Sequence, residues 1–196
     1  MTITEQAAPA RRGRRIVLGV AAVVILGAGA AIAATTYYDS VALVESTVSH
    51  PAVVVADLPR PVSDAFVAAV DPDFYESNDS LLTRRYVAIE ADTGEQSGPR
   101  IWVMARKAES TYAKTEILDR YLNRADFGGA IGLATAAQAR FQKPAAQLTV
   151  AEAAVLAALL HPDAPSPRAG WEQILDTMAD KGWLTVTDRN ALTYPG

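Results

Sequence analysis

An uninterrupted apolar segment near the N-terminus limits most strongly what this chain can form. Residues 16–34 read IVLGVAAVVILGAGAAIAA, 19 residues without a charged or strongly polar side chain. A helix of that length rises about 28 Å, close to the hydrocarbon thickness of a bilayer. Four arginines lie within residues 11–15, whereas the first charges after the segment are acidic, so the N-terminus is expected in the cytoplasm. The sequence predicts a cytoplasmic tail at 1–15, a transmembrane helix at 16–34 and an extracytoplasmic remainder.

A cleaved signal peptide is the alternative interpretation of the same segment. Ala31-Ile32-Ala33 has the small-x-small pattern of a cleavage site. The apolar run is longer than the roughly 7 to 15 residues of an ordinary signal core. We therefore expect an uncleaved anchor in the cell membrane, followed by a stalk at residues 35–60.

Charge and residue content exclude several functions for the segment beyond the anchor. Removing residues 1–34 takes away four of the 18 Lys and Arg and one of the 22 Asp and Glu, which leaves 14 against 21. An ectodomain of net charge −7 is a poor partner for nucleic acid, because binding there depends on basic patches. The chain has no cysteine, and its two histidines, His50 and His161, form no metal-ligand pattern. No metal and no cofactor is expected.

Apolar periodicity predicts a mainly α domain over residues 61–196, with one exception. Ile117, Leu118, Tyr121 and Leu122 fall on one helical stripe, and similar stripes surround Phe66 and Trp171. Thr149 and Glu152 have the spacing of a capping box, so a buried helix should begin there. Gly182 is expected to cap the helix that carries Trp171. The exception is 83–106, where two β-prone runs flank ADTGEQSGP, which predicts a small β-hairpin.

An ordered string of motifs over residues 114–157 carries a resemblance to a known family. The chain resembles glycosyltransferase family 51, the lysozyme-like peptidoglycan polymerases of penicillin-binding proteins. Upstream, LPRPVSDAFVAAVDPDFY is similar to that family's Leu-Pro, Ala-Phe and Glu-Asp-x-x-Phe-Tyr segments. The downstream matches are Lys114, Ile117, Leu118, Tyr121, Leu122, Asn123, Phe127, Gly128, Gly132, Phe141, Lys143, Pro144, Leu148, Thr149, Glu152, Ala153, Ala154, Leu156 and Ala157.

The departures from the family pattern concern its catalytic residues. The resemblance implies a general-base glutamate where this chain has Val70, and a second glutamate where it has Ile101. The family's Gly-Gly-Ser-Thr-x-x-Gln-Gln motif finds no counterpart, and its late arginine pair falls on Gly170 and Trp171. A valine cannot take a proton, so general-base assistance, worth about 10²- to 10⁴-fold in rate, is expected to be absent at that position.

Three residues remain as candidates for a site by resemblance. Asp71 survives from the Glu-Asp pair as a catalytic candidate, and Lys114 and Asn123 are candidates for substrate binding. Alternatively, displaced carboxylates could perform acid-base sugar chemistry, with Asp71 acting together with Glu90 or Glu95 of the predicted hairpin. A solvated turn is the simpler explanation of the acids around that hairpin.

These observations lead to three functional hypotheses. The first is a degenerate, membrane-anchored relative that binds or scaffolds in cell-wall assembly, with lipid II, peptidoglycan glycan or cell-wall synthesis proteins as partners. The second is an active glycan-processing transferase or hydrolase that uses the displaced carboxylates. The third is an accessory subunit of a cell-envelope complex that binds no glycan.

Overall fold

The computed structural model describes residues 27–45, 52–92, 97–161 and 164–195, and the chain divides after Ala42 into two units. In the first unit, residues 27–40 form helix α1. The predicted tail at 1–15, and residues 16–26 of the predicted span, lie outside the described residues. Over the described ranges, no helix is both long and apolar enough to cross a bilayer. The anchor stays a prediction.

The second unit is helical, which confirms the prediction of a mainly α domain. Two short 3₁₀ turns, Val55–Asp57 and Ala145–Gln147, accompany the α-helices. The helices are α2 (Arg60–Val70), α3 (Leu81–Glu90), α4 (Pro99–Thr111), α5 (Lys114–Arg124), α6 (Leu133–Phe141), α7 (Val150–Ala158), α8 (Pro167–Asp180) and α9 (Val186–Ala191).

The helices pack in two groups. One group is α2 with α7 and α8, and the other is α3 with α4 and α5. Helix α7 lies at the centre of the first group and is buried on nearly all sides, as its sequence predicts. The capping box between Thr149 and Glu152 forms at its first turn. Helix α6 contacts both α5 and α7, so it connects the two groups.

The predicted β-hairpin is wrong, because residues 81–90 and 99–111 form α3 and α4. Ser80 caps α3 by accepting a hydrogen bond from the Thr83 amide, and Pro99 occupies the first turn of α4. Leu82, Tyr86 and Val87 form a buried stripe of helical spacing on α3. Most of the β-branched and aromatic residues that favoured strands are thus buried between helices, where packing outweighs their weak strand preference. Outside an isolated bridge from Asp126 to Ile131, the described residues form no β-structure.

Two glycines fix the ends of helices. Gly132 precedes α6 with a φ of 82°, and a Cβ at that position would lie 2.9 Å from the backbone oxygen of Asn123. A side chain is excluded there by both conformation and space. Gly182 follows α8 with a φ of 70°, and the next amide, that of Trp183, donates to the oxygen of Met178. This is the predicted left-handed cap, and the additional helix α9 follows it.

Candidate functional site

Val70 and Ile101 lie in the apolar interior. Val70 is the last residue of α2 and is 6% exposed, and Ile101 lies in the first turn of α4 and is 2% exposed. Ile101 shares its helix face with buried Met104, Ala105 and Ala108. Both positions where the resemblance places glutamates therefore hold packed hydrocarbon.

The positions of the family's arginine pair are also interior. Trp171 is 3% exposed, and its indole nitrogen donates to the backbone oxygen of Ala151 at 3.0 Å. Gly170 is buried, and a Cβ there would lie 2.9 Å from the Cβ of Ala164 and 3.2 Å from that of Ala158. No long cationic side chain could replace Gly170 without displacing these neighbours.

Asp71 is engaged in the cap of α3. Its Oδ2 accepts a hydrogen bond from the Ser80 hydroxyl at 2.7 Å and a longer one from the Leu82 amide at 3.4 Å. The same Ser80 hydroxyl accepts from the Thr83 amide. Asp71 thus connects the end of α2 to the start of α3, which is a structural role for this carboxylate.

Lys114 joins the same network through Glu109. The Glu109 side chain is 6% exposed, and it accepts from the Ser80 amide at 3.2 Å and from the Thr83 hydroxyl at 2.8 Å. Lys114 donates to Glu109 at 3.0 Å and to the Ser77 backbone oxygen at 2.6 Å. Its ammonium group also lies 4.7 Å from the centre of the Phe74 ring. Two of the three predicted site residues, Asp71 and Lys114, are therefore brought together by Ser80 and Glu109.

Asn123 lies apart from that network and fixes the segment before α2. Its side-chain amide donates to the Val53 oxygen at 2.7 Å and accepts from the Val53 amide at 3.0 Å. One helical turn earlier, Asp119 accepts from the Val55 amide. Burial raises the pKa of Asp119, although this backbone hydrogen bond opposes the rise. Residues in the predicted stalk are thus held against α5.

The retained motif residues around α7 also serve the framework. Lys143 forms an ion pair with Glu152 at 2.5 Å, and the other carboxylate oxygen of Glu152 accepts from the Thr149 amide at 2.9 Å. Phe127 packs edge-on against Phe66, with ring centroids 6.0 Å apart. These family motifs therefore stabilise the helix arrangement directly.

Asp71 and Glu90, two of the acids proposed to replace the missing base, are far apart. Asp71 is hydrogen-bonded to Ser80 at the N-terminal end of α3, and Glu90 is the last residue of α3. The helix rises about 15 Å between these two ends. The Glu90 side chain is fully buried and pairs with Arg124 at 3.2 Å. Glu95 lies outside the described residues. Within the described ranges, no cluster of His, Cys, Asp or Glu could hold a metal ion.

A pocket of about 680 Å³ lies beside the C-terminal end of α3. Neither Val70 nor Ile101 lines it. Arg85 reaches across one side and donates to the Leu160 oxygen at 2.8 Å. Burial raises the pKa of the Tyr121 hydroxyl, whereas the charge and hydrogen bond of Arg85 lower it. The lining residues are Arg85, Ala88, Ile89, Asp92, Tyr121, Arg124, Ala125, Asp126, Ile131, Leu159 and Leu160.

A helical domain with these motifs is of the class that includes the cell-wall transglycosylases. Residues 80–181 match the family model described as Transglycosylase. The chain belongs to this transglycosylase family of cell-wall synthesis.

Curated relatives agree with this assignment. Penicillin-binding protein 1A of Mycolicibacterium smegmatis is 32% identical over 179 residues, which is 70% of this chain and 22% of the relative. Penicillin-binding protein 1F of Bacillus subtilis is 29% identical over 76% of this chain and 26% of its own length. The biosynthetic peptidoglycan transglycosylase of Escherichia coli is 51% identical over 61 residues, 31% of this chain and 24% of the relative. The chain spans about a quarter or less of the length of the penicillin-binding proteins it matches.

The family match corrects the extent of the resemblance. It begins at residue 80, so residues 83–106, where the sequence predicted a hairpin and where none of the matching motifs lay, belong to the family domain. If the motif Gly-Gly-Ser-Thr-x-x-Gln-Gln is placed with its serine on Ser80, its two glutamines fall on Arg84 and Arg85. Arg85 is thus a pocket residue that the sequence reasoning missed. The N-cap pattern at Ser80 was the sequence signal that could have identified the helix carrying Arg85.

Proposed function

We propose that this protein is a membrane-anchored, extracytoplasmic member of the family that binds or scaffolds cell-wall glycan and does not polymerise lipid II. The observation that supports the proposal most strongly is the burial of Val70 and Ile101. Hydrocarbon side chains at these positions can neither accept a proton nor stabilise developing charge. The chain is then a pseudoenzyme with a retained framework.

The cations needed for the leaving group are also replaced. A departing pyrophosphate requires positive groups near its developing charge. Gly170 and Trp171 supply none, and both positions are filled by packing between α7 and α8. The loss therefore affects both halves of the reaction, proton transfer and charge stabilisation.

Displaced carboxylates are a weaker explanation. Paired carboxyl groups in glycoside hydrolases lie about 5 to 9.5 Å apart. From the length of α3, Asp71 and Glu90 are expected to be roughly 15 Å apart, which exceeds this range. A catalytic role for Asp71, and substrate-binding roles for Lys114 and Asn123, stay predictions, and each of the three has a structural partner.

The pocket and the predicted anchor support the binding role. A volume of about 680 Å³ is in the range of small-molecule sites, so part of a glycan precursor could be accommodated. The anchor at residues 16–34 would hold the domain at the extracytoplasmic face of the cell membrane, where lipid-linked precursors and cell-wall synthesis proteins occur.

Polymerisation of labelled lipid II by the full-length protein in vesicles tests this proposal. We expect no chain growth above a blank reaction, with or without divalent metal, while the Escherichia coli transglycosylase serves as the positive control. Sustained growth of glycan chains by the purified protein would contradict the proposal. Pulldown with peptidoglycan, compared with crosslinking to envelope proteins, separates a glycan-binding scaffold from an accessory subunit that binds no glycan.

A further inference from the structure

The pocket beside α3 carries unpaired charges of both signs. Arg85 has no carboxylate partner among the described residues, although its guanidinium donates to the Leu160 oxygen and is hydrogen-bonded to Tyr121, and its buried Nε makes no hydrogen bond there. Asp92 and Asp126 are exposed at the same pocket, and neither forms an ion pair within the described ranges. One oxygen of Asp126 accepts from the Gly129 amide at 2.5 Å, which fixes the carboxylate in place.

The second arginine of the pocket is already neutralised. Arg124 pairs with the buried carboxylate of Glu90 at 3.2 Å. The charges left to face a ligand are therefore one guanidinium, from Arg85, and two carboxylates, from Asp92 and Asp126. A phosphate or pyrophosphate would meet one cation and two repelling acids, so this balance disfavours a multiply charged anion.

A ligand that carries both charges matches these groups in sign. A carboxylate would pair with the N–H donors of Arg85 that are not already bonded to Leu160 and Tyr121, and an ammonium group with Asp92 or Asp126. The remaining walls are mostly aliphatic, from Ala88, Ile89 and other lining residues together with the ring of Tyr121, and they suit a hydrocarbon side chain. Ile131 and Leu159 line the same pocket with 51% and 45% of their surface exposed.

We propose that this pocket binds the zwitterionic group of an aliphatic amino acid, with an ammonium and a carboxylate on the same carbon. Free amino acids have this chemistry, and so does the diamino acid of a peptidoglycan stem peptide. Only the choice of the stem peptide as the source rests on the proposed function. The charged groups of the pocket would then recognise the peptide part of the wall material and not the sugar.

Ligand-observed NMR titration of the full-length protein in detergent micelles tests the proposal. The probes are D-alanine, meso-diaminopimelate and a muramyl tripeptide that ends in meso-diaminopimelate, each compared with inorganic pyrophosphate. We expect the amino acids to bind and pyrophosphate to bind more weakly. N-acetyl-D-alanine and D-alaninamide, which each lack one charge, should lose about fivefold or more in affinity.

Asp126→Asn and Arg85→Gln are the informative variants. Asparagine keeps an oxygen for the Gly129 amide, so Asp126→Asn removes charge while preserving the turn. We expect each variant to weaken amino-acid binding about fivefold, whereas Asp180→Asn, at an exposed position on α8, should leave it unchanged.

Either of two results would overturn the proposal. In the first, pyrophosphate binds in preference to the amino acids, and Asp126→Asn strengthens the binding of pyrophosphate. In the second, the amino acids bind and neither variant alters their affinity. If the tripeptide binds more tightly than the free amino acids, the wall peptide is the source. Polymerisation of lipid II alongside amino-acid binding would contradict the proposed function and leave the pocket assignment intact.

Discussion

Replacing Ile101 with glutamate is expected to lower the free energy of unfolding by about 4 kcal/mol. The side chain is 2% exposed and packs with Met104, Ala105 and Ala108 on the inner face of α4. A carboxylate there would lose its hydration without gaining a prepared partner, and the apolar contacts of isoleucine would be lost as well. Urea unfolding followed by circular dichroism measures the change.

The neighbouring residue on α4 provides the matched control. Trp102 is 48% exposed, so Trp102→Glu leaves the carboxylate in water and should cost only about 1 to 2 kcal/mol, from the buried half of the indole. Ile101→Glu should also gain no polymerising activity, because Val70 still occupies the position where the resemblance places the general base. A stable Ile101→Glu protein that extends lipid II would show that an open catalytic cleft reaches this position.

Replacing Glu109 with alanine is expected to cost about 3 kcal/mol of folding free energy. The substitution leaves the Ser80 amide and the Thr83 hydroxyl without their acceptor, and it removes the carboxylate that pairs with Lys114. Because the Glu109 side chain is 6% exposed, water replaces these interactions poorly. Thermal or urea unfolding of the variant gives the magnitude.

A double-mutant cycle between Glu109→Ala and Lys114→Met separates the ion pair from the rest of the network. A coupling energy of about 1 kcal/mol or more is expected if Lys114 has the structural role seen here. Glu172→Ala is the control, since Glu172 pairs with Arg168 on the exposed side of α8 and should cost less than about 0.5 kcal/mol. Additive effects of the two substitutions would instead leave Lys114 available for a ligand.

Most of the helical framework follows from periodicity and capping. The stripe on α5 and the capping box of α7 each depend on residues within one or two helical turns, which sequence patterns record well. The wrong prediction of a β-hairpin at residues 83–106 came from the β-prone residue types in that segment. The cap at Ser80 and the spacing of Leu82 and Tyr86 already pointed to a helix there.

The surroundings of the candidate site could be predicted only in part. The resemblance alone places Val70 and Ile101 where the family has glutamates, and the structure adds that both are enclosed. The contacts of Asp71 and Asn123 join residues that are 9 and 70 positions apart in the chain, so local patterns do not contain them. The pocket around Arg85 is likewise assembled from α3, the end of α5 and the segments after α5 and α7.

Thiol accessibility at positions 70 and 101 tests most directly whether hydrocarbon closes the positions where the resemblance places catalytic glutamates. The chain contains no cysteine, so Val70→Cys and Ile101→Cys each introduce a single reporter, and Trp102→Cys gives the exposed reference. Maleimide labelling of the native protein at both interior positions should be at least about 100-fold slower than at position 102. Labelling at either interior position as fast as at the reference would contradict the account.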